Sequence, residues 1–324
     1  MHEDTAGQPA LRALAQAKGL RIGAAVSAGP LRDDPAYRDI IAREFNVLTC
    51  ENAMKFGPLR PSRDTFAFEE ADAIVAFAEK HGMAVRGHTL VWHKQLPPWL
   101  AEECRSGDAA VDVVRGHIHT VVDHYKGKVF AWDVVNEAVD SSGKWRDTVF
   151  LRAFGPDYVK MAFHWAHEAD PEAKLLYNDF SADGLNRKSN AIHRLLEDLV
   201  QQGVPVHGVG LQMHVTQRDP PDRHRVAANI RRFADLGLEV HITEMDVRLE
   251  EPVSEADLED QARIYRGILE VCVEAEHCDV FVVWGVTDRY SWLPQVFPGA
   301  AAPLLFDDNG KSKPAYHALC EALR

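Results

Sequence analysis

Phe130-Ala131-Trp132-Asp133-Val134-Val135-Asn136-Glu137-Ala138 begins as a strand and ends in a carboxylate. With Val129 before it, the run is apolar, β-branched or aromatic. It stops abruptly at Asn136-Glu137. A carboxylate where a buried run ends is costly unless it is solvated, paired or used. Alone, Glu137 reads as the first solvated residue of the next loop, because charged residues are mostly exposed. A second short apolar run, Glu239-Val240-His241-Ile242-Thr243-Glu244, ends the same way. Two strands that each deliver one carboxylate at their ends suggest a pair working together.

Outward from these two runs the chain alternates. Short apolar segments at 21–26, 45–49, 84–87, 129–137, 174–177, 206–212, 239–244 and 279–284 read as strands. Amphipathic segments at 35–44, 68–81, 109–125, 157–169, 187–202, 222–236, 255–275 and 313–323 read as helices, and a further helix at 9–18 precedes the first strand. Gly82, Gly203 and Gly237 stand where three of them stop. Nearly all-apolar strands alternating with amphipathic helices mean a parallel sheet covered on its outer face. Eight such units predict an α/β fold of the (β/α)8 TIM-barrel type, with a site at the C-terminal ends of the strands. No Gly-x-Gly-x-x-Gly follows the first strand, so a dinucleotide-binding open sheet has no support. No linker or repeat interrupts the rhythm, so residues 1–324 are expected to form one domain, with 1–8 flexible.

Composition narrows the partners. The 324 residues are 46% hydrophobic and 26% charged, an ordinary globular balance. Against 36 Lys and Arg stand 49 Asp and Glu, a net charge of −13. That disfavours nucleic acid and anionic membrane, and suggests neutral or cationic ligands. No apolar run approaches the length of a membrane span. The start, Met1 to Pro9, is acidic and polar, unlike a secretory leader. The expectation is a cytoplasmic protein if the chain is full length, and a secreted one if a leader was removed. Five cysteines in no dense framework fit a reduced compartment. Cys272 and Cys278 are close enough to pair, and the residues alone leave that open.

On a barrel, the strand ends should carry the chemistry. Strand two ends at Glu51-Asn52, with Lys55 close behind. Strand three leads to His88, Trp92, His93 and Gln95. Strand four ends at Asn136-Glu137, strand five at Tyr177-Asn178-Asp179, and strand six at Gln212, then His214. Strand seven ends at Glu244, then Asp246. Strand eight ends at Trp284, and its loop carries Asp288, Arg289 and Trp292. Each has a bland explanation alone, as a core tryptophan, a structural histidine or a surface ion pair. Together they gather on one rim, where chance would scatter them over both ends. Carboxylates, amides, Lys and His suit hydroxyl groups, and Trp suits the flat apolar face of a sugar ring. No phosphate loop is visible and no cofactor is implied. His88, His93, His214 and Glu244 could in principle hold zinc, but the aromatic residues and the second Glu would then be unexplained, so no metal is expected.

Spacing adds local detail. Residues two apart on an extended strand share a face, so Glu244 and Asp246 should point one way, as should Gln212 and His214. Asn136 and Glu137 are adjacent. Both reach the rim only if the strand bends or bulges at its end.

Taken together, Thr49-Cys50-Glu51-Asn52-Ala53-Met54-Lys55, Gly87-His88-Thr89-Leu90-Val91-Trp92-His93, Trp132 to Ala138, Gly208-Val209-Gly210-Leu211-Gln212-Met213-His214, Ile242-Thr243-Glu244-Met245-Asp246 and Trp284 to Trp292 resemble the glycoside hydrolase family 10 endo-β-1,4-xylanases. The segments come in that family's order, and the resemblance runs from about residue 10 to 323. It implies retaining hydrolysis of β-1,4-xylosidic bonds by a monomer, with xylan or xylo-oligosaccharide as substrate. Glu137 would be the general acid/base and Glu244 the nucleophile. A proton donor must hold its proton near working pH, which the neighbouring negative Glu244 favours. Asn136 would bond the sugar 2-hydroxyl, and His214 would hold Glu244 with Asp246 behind it. His88, Trp92 and Gln212 would line the −1 subsite. Glu51, Asn52, Lys55 and Gln95 would bind the −2 sugar. Trp284 and Trp292 would wall the glycone side, and Tyr177 would belong to the leaving-group side.

Lys94 departs from the family, standing where a small polar residue is usual. Met245 replaces a usual Leu at similar volume. The Cys272/Cys278 spacing is one often disulfide-bonded in secreted members. Two rivals remain. One is a barrel hydrolase acting also on β-1,4-glucans or short xylosides. The other is an inactive polysaccharide-binding barrel, against which the presence of both carboxylates counts.

Overall fold

A computed structural model describes residues 9–105 and 107–324. The expected flexibility of residues 1–8 falls outside the described residues. Eight parallel strands close on themselves: β1 (Arg21–Val26), β2 (Val47–Cys50), β3 (Ala84–Val91), β4 (Val129–Asn136), β5 (Lys174–Asp179), β6 (Gly208–Leu211), β7 (Glu239–Glu250) and β8 (Val280–Val283). Each pairs with its successor, and β8 returns to β1 through Ala24↔Val283. The predicted barrel is the observed one.

The helices that follow the strands cover the outside, at Pro35–Glu44, Glu69–Lys80, Gly107–His124, Tyr158–Ala169, Arg187–Gln201, Arg223–Ala234, Glu255–Glu274 and Pro314–Ala322. Their starts follow local chemistry. Asp34 accepts from the Ala36 and Tyr37 amides, with Pro35 in the first turn. Asn186 and Ser254 each form a reciprocal capping box. The main core lies between strands and helices and includes Trp132, Tyr125, Phe163, Phe233 and Phe281. Cys272 and Cys278 form a disulfide, with Cα atoms 5.1 Å apart. It joins the last turn of a helix to the approach to β8. No helix among the described residues is long and apolar enough to cross a membrane.

Inside the barrel the lower layer is apolar, with Val47, Val280 and Val282 packed against Phe130. Above it lies a fully buried polar layer. Arg86 Nη2 meets Asp133 Oδ1 at 2.7 Å, and Arg86 Nε reaches His241 Nδ1 at 3.3 Å. Burial drives the His241 imidazole well below its ordinary range, so it is neutral and accepts from Arg86.

Two strands run further than their apolar patterns imply. β3 continues to Val91 past residue 87, and β7 to Glu250 past residue 244. The β7 extension is paired rather than free. His214–Thr216 lies parallel to Asp246–Arg248, and Ala300–Ala301 lies antiparallel to Leu249–Glu250. Glu244 therefore sits within a strand, on backbone held from both sides.

Candidate active site

The upper ends of the strands are irregular where they approach the rim. Register shifts occur between His88 and Val91, between Asp133 and Val135, and between Ile242 and Met245. Left-handed backbone appears at Gln95 (φ 49°), Glu137 (φ 59°), Ser181 (φ 52°) and Met213 (φ 65°), all just past or at strand ends. Such a conformation costs a non-glycine residue about 1–3 kcal/mol and persists only where surroundings hold it. The bend expected at the end of β4 is thus made twice, by the shift and by the turned backbone of Glu137. The Glu137 amide is held by the Asn178 carbonyl at 2.9 Å, and Arg146 Nε holds the Glu137 carbonyl at 2.8 Å.

A cleft of about 990 Å³ opens on this rim. Glu137 and Glu244 lie at its floor, 6% and 4% exposed. Their surroundings differ. Glu244 Oε1 accepts from Asn178 Nδ2 at 2.7 Å, and its Oε2 lies 3.1 Å from His214 Nε2. His214 Nδ1 in turn lies 2.9 Å from Asp246 Oδ2, which also accepts from Trp292 Nε1 at 3.0 Å. Glu244 and Asp246 do point the same way, with His214 between them. Burial would push the Glu244 carboxyl up, but the charge of His88 and the His214 hydrogen bond outweigh it and hold it below the usual range. Burial also opposes the charge on His214. Asp246 and Glu244 outweigh that and raise the imidazole to about 10.

Glu137 is held more loosely. Its Oε1 accepts from Gln212 Nε2 at 3.3 Å. Its buried Oε2 has no hydrogen-bond partner, and the nearest ring nitrogen is His93 Nδ1 at 3.9 Å. Burial lowers the His93 imidazole to about 4, so a neutral ring faces that oxygen.

Between the two carboxylates stands Asn136. Its Oδ1 accepts from Asn178 Nδ2 at 3.1 Å and Gln212 Nε2 at 3.0 Å. Those two amides must present N–H to Glu244 and Glu137, so they also present N–H to Asn136. The reverse orientation would gain the Trp92 indole at 3.2 Å and the Asn178 carbonyl at 3.1 Å but set its NH2 against two others. The Asn136 NH2 keeps only a long 3.5 Å contact with Glu137 and is otherwise free to donate.

The remaining expected residues fall on two sides of this floor. His88 lies 3.8 Å from Glu244 Oε1 through Nδ1, the same nitrogen that meets Asp133 Oδ2 at 2.9 Å. Trp284 packs edge-on to His88 with centroids 5.1 Å apart, and Trp292 likewise to His214 at 5.2 Å. Asn52 Oδ1 accepts from Lys55 Nζ at 2.9 Å and Gln95 Nε2 at 3.1 Å. The Lys55 ammonium lies 4.8 Å from the Trp92 ring centroid. Glu51 is bonded by the Ser27 hydroxyl. All of these line the cleft.

Tyr177 does not. It is fully buried, and its hydroxyl donates to Asp179 at 2.6 Å and accepts from the Val139 amide at 3.2 Å. The reason is strand parity: Tyr177 and Asp179 share the helix-facing side of β5, where Lys188 pairs with Asp179 at 2.6 Å. The inward residue is Asn178, which carries the link to Glu244. Phe180, just beyond the strand, is the aromatic that lines the cleft here.

Two of the histidines weighed for zinc are engaged with carboxylates. His88 Nδ1 is committed to Asp133, and both nitrogens of His214 face carboxylates. Among the described residues no group of three or more ligands is arranged to hold a metal ion.

A model of glycosyl hydrolase family 10 matches residues 10–322. The chain belongs to glycosyl hydrolase family 10. Endo-1,4-beta-xylanase B of Thermotoga neapolitana is 42% identical to it over 318 residues, which is 97% of this chain and 91% of that protein. Native xylanase 10B from Thermotoga maritima is similar in structure, at a TM-score of 0.94 and 44% identity, over 97% of this chain and 98% of that one. Xylanase 10B from Thermotoga petrophila RKU-1, solved in complex with xylobiose, matches at a TM-score of 0.95 and 42% identity, over 100% and 98% of the two chains.

In this family 10 barrel, three participants were not singled out from the sequence as site residues: Asn178, Asp133 and Arg86. Alternation sets Asn178 on the opposite face from Tyr177 and Asp179 without saying which face is inward. Asp133 and Arg86 left a fainter signal, two opposite charges inside apolar runs on neighbouring strands. They support His88 from below. Burial works against the Asp133 charge, but Arg86 and His88 outweigh it and keep its carboxyl below the usual range.

Proposed function

We infer that the protein is a retaining endo-β-1,4-xylanase in which Glu137 is the general acid/base and Glu244 the nucleophile. The carrying observation is the unlike environment of two buried carboxylates on one cleft floor. Glu244 is fixed by N–H groups on both oxygens, as an ionised nucleophile requires. Glu137 has an unpartnered Oε2, as a group that passes a proton to and from substrate requires.

In the first step, protonated Glu137 gives its proton to the glycosidic oxygen while Glu244 attacks the anomeric carbon. The leaving chain departs and a glycosyl ester forms on Glu244. That ester removes the negative charge beside Glu137, which now takes a proton from water. The water attacks the anomeric carbon and frees Glu244. The free Asn136 NH2 suits the 2-hydroxyl of the reacting xylose. Gln212, His88, Trp92 and Trp284 line the same subsite. Glu51, Asn52, Lys55 and Gln95 take the next sugar on the glycone side, and Trp292 with Asp246 holds His214. Every one of these residues lies on the strands of one barrel or in the segments that follow them, which supports one catalytic domain working as a monomer.

The test is the first product anomer. NMR during xylo-oligosaccharide cleavage should show the β-anomer before mutarotation, and Glu244→Ala should abolish turnover. The α-anomer appearing first would overturn the double displacement.

A further inference from the structure

The charges around the cleft are sorted by depth. The acids that line it, Glu51, Glu137, Glu244 and Asp246, are all buried at its floor. The charged side chains that line it and reach solvent are cations: Lys94 and Arg289 are exposed, and Arg248 is half-buried. This stands against a chain of net charge −13. A surplus of acid everywhere else makes a cationic rim a local feature needing its own reason.

Position divides the three. Arg248 lies on β7, with its guanidinium 4.5 Å from the Phe297 ring centroid, so that cation is covered by an aromatic face. Lys94 and Arg289 follow β3 and β8. Those strands flank β1 and β2, so the two cations stand at either side of the arc that carries Glu51, Asn52 and Lys55. Lys94 Nζ is 5.7 Å from the Trp92 ring centroid and beside Gln95, which bonds Asn52. Arg289 lies 5.3 Å from the Tyr290 ring centroid. The Tyr290 hydroxyl donates to Asp34, whose carboxylate also caps a helix through the Ala36 and Tyr37 amides. Asp34 offsets part of the Arg289 field without pairing with it. Among the described residues neither Lys94 nor Arg289 is in an ion pair with a carboxylate.

Exposed, unpaired cations can donate to a neutral sugar's hydroxyl groups, but they gain little there that water does not already give them. A substrate that carries its own carboxylates gives them a partner. We propose that Lys94 and Arg289 select xylan chains bearing uronic-acid side groups on the glycone half of the cleft, the carboxylate of the side group meeting one or both cations. This rests on the xylanase reading above and specifies its substrate.

The probe is a glucuronate-substituted xylan compared with the same polymer after reduction of its carboxyl groups to alcohols, which keeps the branch and removes the charge. In low salt, wild-type kcat/KM should be about threefold to fivefold higher on the charged polymer, the range of an exposed ion pair. The ratio should approach one near 1 M salt, where screening acts over about 3 Å. Lys94→Glu and Arg289→Glu should each lower the ratio, and together bring it below one. A wild-type ratio of one at low salt, or a ratio that neither reversal moves, overturns the proposal while leaving the xylanase reading intact. Failure of the wild type to cleave either polymer overturns that reading and this one together.

Discussion

Gly210→Ala should disable the nucleophile without touching it. Gly210 lies in β6, and a methyl group there would sit 2.1 Å from Asn178 Oδ1, 3.0 Å from Asn178 Cγ and 2.8 Å from Thr243 Cγ2. No real contact is that short, so the Asn178 amide must move. Three hydrogen bonds depend on where it is: to Glu244 Oε1 at 2.7 Å, to Asn136 Oδ1 at 3.1 Å and from Thr243 Oγ1 at 2.7 Å. The first is to a charged group and contributes about 1.5–3 kcal/mol. Its loss corresponds to roughly ten- to hundredfold in kcat, at about 1.4 kcal/mol per factor of ten. Overpacking adds a stability cost of about 1–3 kcal/mol. The assay is kcat on an aryl xylobioside, with circular dichroism to confirm the fold. A double-mutant cycle isolates the cause, because Asn178→Ala removes the atom that the new methyl strikes first. Gly210→Ala added to Asn178→Ala should therefore cost little more activity than Asn178→Ala alone. A folded Gly210→Ala enzyme with kcat within threefold of wild type, or effects that simply add, would refute the reasoning.

Glu137→Ala should slow xylan cleavage by orders of magnitude, yet retain much of its first step on an aryl xylobioside whose leaving group needs no proton. Comparing kcat on xylan with the burst rate on the aryl xylobioside checks this, and equal losses on both would contradict the acid/base role. His214→Gln should move the acid limb to higher pH. Glu244 attacks only when ionised, and losing the charge-assisted bond from His214 raises its pKa; kcat against pH measures it. The same variant should flatten a stability trend. His214 is raised to about 10 in the folded protein from an ordinary value near 6.5, so its stabilisation is complete below about 6.5 and lost as pH rises through 10. Urea midpoints between pH 6 and 10 should fall more steeply for wild type than for His214→Gln. Arg86→Met should strand the buried Asp133 and cost about 3–5 kcal/mol, read from urea unfolding at neutral pH.

What the sequence made legible follows from which forces act locally. Apolar periodicity and capping residues announce strands and helices, and eight repeats of one unit close a ring whatever the loops do. The two carboxylates were visible because a charge at the end of an apolar run breaks a local rule. Tyr177 was misplaced because its side of the strand is set by the register of β5 against its neighbours, a long-range pairing that a run of three polar residues does not reveal. Counting by twos from Tyr177 to Asp179 would have separated Asn178 from both, but nothing local says which face is inward. On the next strand, the missing side chain of Gly210 leaves the room that the inward Asn178 amide occupies. The polar layer of Arg86, Asp133 and His241 was hidden for a related reason. Each charge there looks like an error in its own strand and becomes tolerable only when the barrel closes and sets it against its partners. The extension of β7 beyond Glu244 needed Ala300–Ala301 and His214–Thr216 to pair with it, so the apolar pattern ended before the strand did. The site is thus written into the chain twice. Local composition marks the reacting carboxylates, and tertiary register supplies the amide and the histidine that make Glu244 and Glu137 unlike each other.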